Sequence, residues 1–243
     1  MRTVDVNCDM GESAEAVRGG LQESLMPWIT SVNVACGGHA GDEGLMTETI
    51  ATALKWKVSV GAHPSYPDRA NFGRVRMRLG ADELARCVEE QIRELARIAK
   101  NLRCELRHVK AHGALYNDAA SDPATAEAIA AGAALFSREL VLVGPAGSKM
   151  LQVFSSLGFR TAAEAFADRR YEPDGALRAR SSSDALITDP AEAAAQALKF
   201  AESGSVQTIC VHSDTPGALA IAIAAAAGLA AAGIERRAFS PSA

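Results

Sequence analysis

A closed barrel of parallel strands wrapped by helices, seven or eight strands in all, is the fold this 243-residue sequence predicts. Three observations predict it. Short β-branched runs alternate with helix-length stretches, the pattern of βαβ units and a parallel sheet. Within five of those runs every second residue is aliphatic and the intervening ones are polar. An open parallel sheet covered on both sides reads as apolar on both faces, so one polar face points to a barrel interior. The polar residues also gather toward the C-terminal end of each run, the end at which α/β barrels build their sites.

The first run, 3–7, sets Val4 and Val6 against Asp5, Asn7 and, just beyond, Asp9. The second, 31–35, sets Val32 and Val34 against Ser31 and Asn33. A helix follows a cap at Asp42, with Leu45, Met46, Thr49, Ile50 and Ala53 at helical spacing. The third run, 58–62, opposes Val58 and Val60 to Ser59, Gly61 and His63. Leu84, Val88, Ile92, Leu95 and Ala99 mark the next helix, and the run 107–111 then opposes Val109 to His108, Lys110 and His112. Further strands are expected at 140–143, 160–164, 185–188 and 207–211, the last with Ile209 and Val211 opposite Cys210 and His212. Asp189-Pro190 and Thr215-Pro216 each read as a cap followed by proline at the first helical position. No linker or composition break divides the chain, so residues 1–243 are expected to form one domain.

Composition narrows the function. The formal charge of −4 and the lack of any Lys/Arg tract leave no field for nucleic acid. The five cysteines are scattered and never spaced C-x-x-C, which excludes a disulfide framework and suits a reducing, cytoplasmic compartment. Asp5 interrupts the place where an export signal needs its apolar run. Residues 217–234 carry no charge but are mostly alanine, which reads as a packed terminal helix rather than a membrane span.

The chemistry concentrates in the histidines. His39 leaves the second strand in a glycine-rich loop, while His63, His112 and His212 end the third, fourth and last strands. Asp5, Asn7, Asp9, Asn33, Lys110 and Glu164 point to the same mouth by parity. His108 and His112 are four residues apart on a strand, about 13 Å, too far to share one ion. His112 with His63, or Asp5 and Asp9 with a histidine, could still bind a divalent ion, but no ligand motif assigns a metal. No G-x-S-x-G elbow surrounds Ser13 or Ser65. General acid/base chemistry by His, Asp and Glu is therefore the simplest reading, with Lys110 as a fixed charge for an oxyanion or carboxylate. Gly144-Pro-Ala-Gly-Ser-Lys149 departs from the phosphate-loop pattern and reads as a tight strand-to-helix turn. Asp168, Arg169 and Arg170 follow the sixth run, where arginine forks could take a phosphate or carboxylate.

Seven blocks, in order, resemble the LamB/YcsF family. They are Val4-Asp-Val-Asn-Cys-Asp-Met-Gly-Glu12, Ser31-Val-Asn-Val-Ala-Cys-Gly-Gly-His-Ala-Gly-Asp42, Gly61-Ala-His-Pro-Ser-Tyr-Pro-Asp68 and Phe72-Gly-Arg74. His108-Val-Lys-Ala-His-Gly-Ala-Leu-Tyr-Asn117, Glu164-Ala-Phe-Ala-Asp-Arg-Arg-Tyr171 and Ile209-Cys-Val-His-Ser-Asp-Thr-Pro216 complete the set. Departures fall at Gly38, where the family usually has an aromatic, and at Ala111 and Ser213. The resemblance implies a distorted seven-stranded barrel related to the glycoside hydrolase/deacetylase barrel. It also implies ATP-dependent opening of 5-oxoproline to glutamate, in a complex with subunits B and C. ATP enters as co-substrate, with magnesium, and which subunit binds it stays open. On this reading Asp9, His39, His63, Lys110, His112, Glu164 and His212 are the candidate catalytic residues. Asp5, Asn7, Glu12, Asn33, Arg74, Asp168 and Arg169 are the candidate substrate contacts. Two other readings stand beside it: a stand-alone metal-dependent amide hydrolase or deacetylase, and a non-catalytic partner-binding subunit.

Overall fold

In the computed structural model, which describes residues 2–239, seven parallel strands close into a ring. They are β1 (Thr3–Met10), β2 (Ser31–Ala35), β3 (Ser59–His63), β4 (His108–Lys110), β5 (Val141–Pro145), β6 (Thr161–Phe166) and β7 (Thr208–Cys210). β1 closes the ring by pairing with β2 through Asn7↔Ser31 and with β7 through Asp5↔Thr208. Met1 and residues 240–243, included in the expected domain, lie outside the described residues.

Helices supply the outer layer: α1 (Ala14–Arg18), α2 (Leu21–Leu25), α3 (Glu43–Lys55), α4 (Ala81–Asn101), α5 (Gly113–Ser121), α6 (Pro123–Phe136), α7 (Lys149–Ser156), α8 (Pro190–Ser203) and α9 (Ala218–Ala231). Asp42 caps α3 by accepting from the Leu45 N–H, and Asp189 caps α8 by accepting from that of Glu192. α4 buries Leu84, Val88, Ile92 and Leu95 on one face, and each such side chain contributes about 1.5–3 kcal/mol of transfer free energy. The aliphatic strand residues Val4, Val6, Val32, Val34, Val60 and Ile209 join this core between strands and helices. No helix among the described residues is long and apolar enough to cross a membrane.

Two expectations fail here, each for a physical reason. Residues 185–188 form no ring strand, because Glu164↔Thr208 already pairs β6 directly with β7. The segment instead lies antiparallel against the loop after β6, where Leu186 bridges Arg169 and the Ile187 N–H donates to Asp168 O. The eighth strand is β8 (Glu235–Arg236), which pairs with Thr3 and Val4 beyond the ring. Thr215 does not cap the last helix; its hydroxyl is drawn to Asp168, and α9 begins after Gly217 at φ 80°.

The interior is polar from the bottom upward. Asp5 accepts from the hydroxyls of Thr30 (2.6 Å), Ser31 (2.8 Å) and Thr208 (2.5 Å). Above it, the Asn7 amide donates to Glu164 and Thr208, while its oxygen accepts from Asn33 at 2.7 Å. His108 fills the space across from Gly61, where a Cβ would meet its Nε2 at 2.2 Å. Only glycine lets that imidazole lie flat against the strand.

Candidate functional site

The strand ends deliver the site residues to one mouth. β1 carries Asp9 one residue before its end, β3 ends in His63 and β4 in Lys110; the loops beyond add Glu12, His39, His112, Asp168 and His212. Asp9, His39, His63, Lys110 and His212 are all buried at this end.

Lys110 sits between two carboxylates, with Nζ 3.0 Å from Asp9 Oδ1 and 2.9 Å from Glu164 Oε1. It also reaches Asn7 Oδ1 at 3.2 Å and Cys210 Sγ at 3.2 Å. Burial works against its charge, but the attraction of Asp9 and Glu164 wins and holds its pKa well above the ordinary value. Three N–H groups with four acceptors leave no donor free, so Lys110 neutralises its neighbours rather than waiting for a ligand. Glu164 is likewise fully engaged, its Oε2 accepting from the Tyr116 hydroxyl at 2.6 Å.

On one side of this pair stands a carboxylate–imidazole dyad. Asp168 Oδ1 lies 2.9 Å from His212 Nδ1, and Oδ2 accepts from the His212 N–H at 2.9 Å and from Thr215 at 2.6 Å. Burial disfavours the Asp168 carboxylate, but His212 and the hydroxyl outweigh it and keep its pKa below the usual range. The carboxylate fixes the Nδ1–H tautomer, leaving His212 Nε2 as a lone pair without a partner among the described residues. Phe166 stacks on the ring at 5.3 Å and fixes its plane.

On the other side three imidazoles surround Glu12. Its Oε1 lies 3.0 Å from His39 Nε2, 3.3 Å from His112 Nδ1 and 3.9 Å from His63 Nε2. His39 and His112 stack at 3.7 Å. Burial pushes both down to about 2, so both rings are neutral. These four residues offer donor atoms that all lie within 4.8 Å of one another, a set able to hold a metal ion; Asp9, Cys210 and His212 form a second such set.

A cavity of about 420 Å³ opens beside the mouth, lined by Glu12, Phe72, Ser213, Asp214 and the inner faces of α1 and α2. Arg74 and Arg180 meet at its rim on Asp214 Oδ2, at 2.8 and 3.0 Å. Asp9, His39, His63, Lys110, His112, Glu164 and His212 do not line it; His63 and Lys110 lie beneath the other side chains, 1% and 2% exposed.

The expected substrate contacts therefore divide. Glu12 lines the cavity, Arg74 stands at its rim and Asp168 orients His212. Asp5, Asn7 and Asn33 lie a layer lower, each about 1% exposed, with their polar atoms bonded to other side chains. That placement puts them beneath the mouth rather than in the cavity, with Asn7 and Asn33 bonded to Lys110 and Asp9 respectively. Asp5 does not meet Asp9 and a histidine around one ion, whereas His63 and His112 do come together at 3.0 Å. Arg169 is turned inward and donates to Arg178 O rather than toward the cavity. Tyr116, Asp214 and Thr215 are the site residues the sequence reading passed over. All three sit inside its own motif blocks, but polar side chains in loops and helices have no strand parity to reveal their direction.

The departure at Gly38 has a local counterpart. A Cβ there would meet Gln91 Oε1 at 2.3 Å and Ser65 Oγ at 2.5 Å, so Gln91 of α4 takes up the room. Ser213 donates to Asp9 O at 2.8 Å, tying the β7 loop to the end of β1.

Known proteins carry the same arrangement of sequence and fold. The chain is 50% identical to the A subunit of the 5-oxoprolinase of Chloroflexus aurantiacus, covering 96% of this chain and 97% of that one. It is 38% identical to the lactam utilization protein of Thermus thermophilus, whose crystal structure superposes with a TM-score of 0.90 over 98% of this chain and all of that one. The catalytic domain of a peptidoglycan N-acetylglucosamine deacetylase from Eubacterium rectale shares the barrel alone, with a TM-score of 0.54 at 10% identity over all of this chain and 90% of that one. The LamB/YcsF sequence signature matches residues 4–243, and with a half-identical relative along nearly its whole length the chain belongs to the LamB/YcsF family.

Proposed function

We propose that this chain is the A subunit of an ATP-dependent 5-oxoprolinase, acting with subunits B and C to open the lactam of 5-oxoproline to L-glutamate. The observation that supports this most is the oriented His212–Asp168 dyad at a polar barrel mouth, in a chain half identical to the A subunit of a 5-oxoprolinase.

An unstrained lactam resists water because the amide nitrogen donates into its carbonyl. Phosphorylating the amide oxygen at the expense of ATP gives an O-phosphoryl imidate, in which the stable amide carbonyl is gone and the carbon bears a good leaving group. His212 Nε2 then takes the proton of the attacking water, and Asp168 stabilises the imidazolium that forms. The C–N bond breaks with the nitrogen leaving as the amine, which draws its proton from His212. A second water releases phosphate, so the sum is one glutamate, one ADP and one phosphate. Arg74 and Arg180 at the rim supply charge for the substrate carboxylate.

ATP and its magnesium are assigned to the assembly rather than to a loop of this chain. The turn 144–149 spends its Ser148 hydroxyl on capping α7, accepting from the Leu151 N–H. Purified chain, with and without subunits B and C, is to be assayed for glutamate, ADP and phosphate. Equal amounts of all three in the complete mixture, and next to none from the single chain, are expected. Intact 5-oxoproline in the complete mixture, or full turnover by the single chain, would overturn the reading.

A further inference from the structure

Two histidines at the mouth turn ring nitrogens toward each other. His63 Nδ1 lies 2.7 Å from the carbonyl oxygen of Lys110, and His112 Nε2 lies 3.0 Å from that of Phe72. A carbonyl oxygen only accepts, so each of these nitrogens carries its ring's proton. The opposite nitrogens, His63 Nε2 and His112 Nδ1, stand 3.0 Å apart, with Asp9 Oδ2 3.4 Å from His63 Nε2. Without an ion, the attraction of Asp9 outweighs burial, raises the His63 pKa and holds a proton in that gap; an ion would take that proton's place. Imidazoles whose far N–H is anchored on a carbonyl, with the near nitrogens converging, are how proteins present histidine to a metal.

The surroundings fit the same occupant. Glu12 Oε1 lies 3.0 Å from His39 Nε2, 3.3 Å from His112 Nδ1 and 3.9 Å from His63 Nε2. Four ligands at bonds of about 2.0–2.1 Å from a tetrahedral ion sit about 3.3 Å from one another. The observed separations fall on both sides of that value. His39 Nδ1 is buried without a hydrogen-bond partner, so the ring is oriented by Glu12 on its Nε2 and by stacking on His112.

We propose that Glu12, His39, His63 and His112 together bind one divalent transition-metal ion, with zinc the best match to three imidazoles and a carboxylate. The site joins elements far apart in sequence: the β1, β2 and β4 loops and the end of β3. Glu12 also lines the cavity, so an ion here would stand next to whatever occupies it.

The test reads metal rather than turnover, so it fails or succeeds independently of the substrate assignment. Full-length chain is stripped with a chelator, then titrated with Zn²⁺ by calorimetry and with Co²⁺ by visible absorption. One ion per chain, with the intense ligand-field bands of four-coordinate cobalt, is expected. His39→Asn and Glu12→Gln should each weaken binding at least tenfold, while His212→Asn keeps the parental affinity. Glu12 is only partly buried, so Glu12→Gln serves where His39→Asn fails to fold. No stoichiometric binding, or affinity unchanged in folded Glu12→Gln, would overturn the site. Loss of binding in His212→Asn alone would place the ion with Asp9 and Cys210 instead. A ¹⁵N spectrum showing His63 doubly protonated in excess zinc would give the gap to a shared proton and end the proposal.

Discussion

Asp168 grips His212 twice, through the ring Nδ1 and through the backbone N–H, each at 2.9 Å. One carboxylate thereby fixes both the tautomer of the imidazole and the position of the chain that carries it. Asp168→Asn keeps the shape but can present an amide N–H to Nδ1, which favours the wrong tautomer. The expected loss in kcat of the assembled enzyme is about 10²–10⁴-fold, with KM changed far less. Steady-state kinetics showing near-normal kcat would remove the dyad from the mechanism.

Lys110 compensates two buried carboxylates at once. Lys110→Met takes from Asp9 and Glu164 the cation they share, at an expected cost of about 3–5 kcal/mol. For a chain of this length that lowers Tm by about 10 °C. Adding Glu164→Gln should restore part of the loss, because one of the two charges is gone. Thermal unfolding of the single and double variants decides it, and a double variant no more stable than Lys110→Met would refute the coupling.

Asp5 gives stability a distinct pH dependence. Burial pushes its carboxyl up to about 6, against the hydroxyls of Thr208, Thr30 and Ser31. A folded-state pKa above the unfolded one stabilises below about pH 4, and that contribution disappears as pH rises through about 6. Asp5→Asn carries no such charge. Its stability relative to the parent should therefore rise by about 2 kcal/mol between about pH 4 and pH 7.5. Denaturant titrations at the two pH values check this, and a constant difference would contradict it.

Arg74 and Arg180 converge on one oxygen of Asp214 at the cavity rim. Two guanidinium groups on one carboxylate leave positive charge over for an anionic ligand. Arg180→Ala should raise KM for 5-oxoproline about tenfold and leave kcat within about twofold. A fall in kcat at constant KM would move the arginine from binding to chemistry.

Strand parity accounted for the ring and its polar lining, because alternation is enforced wherever one face meets helices and the other the interior. Asp5, Asn7 and Asp9 do share a face, as do His108 and Lys110. Depth along that face was not legible: parity says inward, not how far from the mouth, so Asp5 and Asn33 read like Asp9. The run 185–188 shows the other limit, since a short apolar segment packed on a loop has the composition of a strand without its ladder. The β8 pair, with two residues, is too short for any period to register. Resemblance to a family supplied Glu12 and Arg74, which sit in loops where no periodicity speaks.

The hydrogen-bonded filling of the barrel also shapes how this sequence can change over evolutionary time. Asn33 donates to Asn7 and Asp9 while accepting from His108, so a substitution at any one of the four unbalances the other three. The aliphatic face of the same strands has no such reciprocity, and Val32 or Val60 can exchange for another branched residue at small cost. Variation should thus be strongly epistatic inside the ring and nearly additive outside it. In a library randomised at Asn7, Asn33 and His108, functional variants would emerge as matched sets of donors and acceptors, rarely one position at a time.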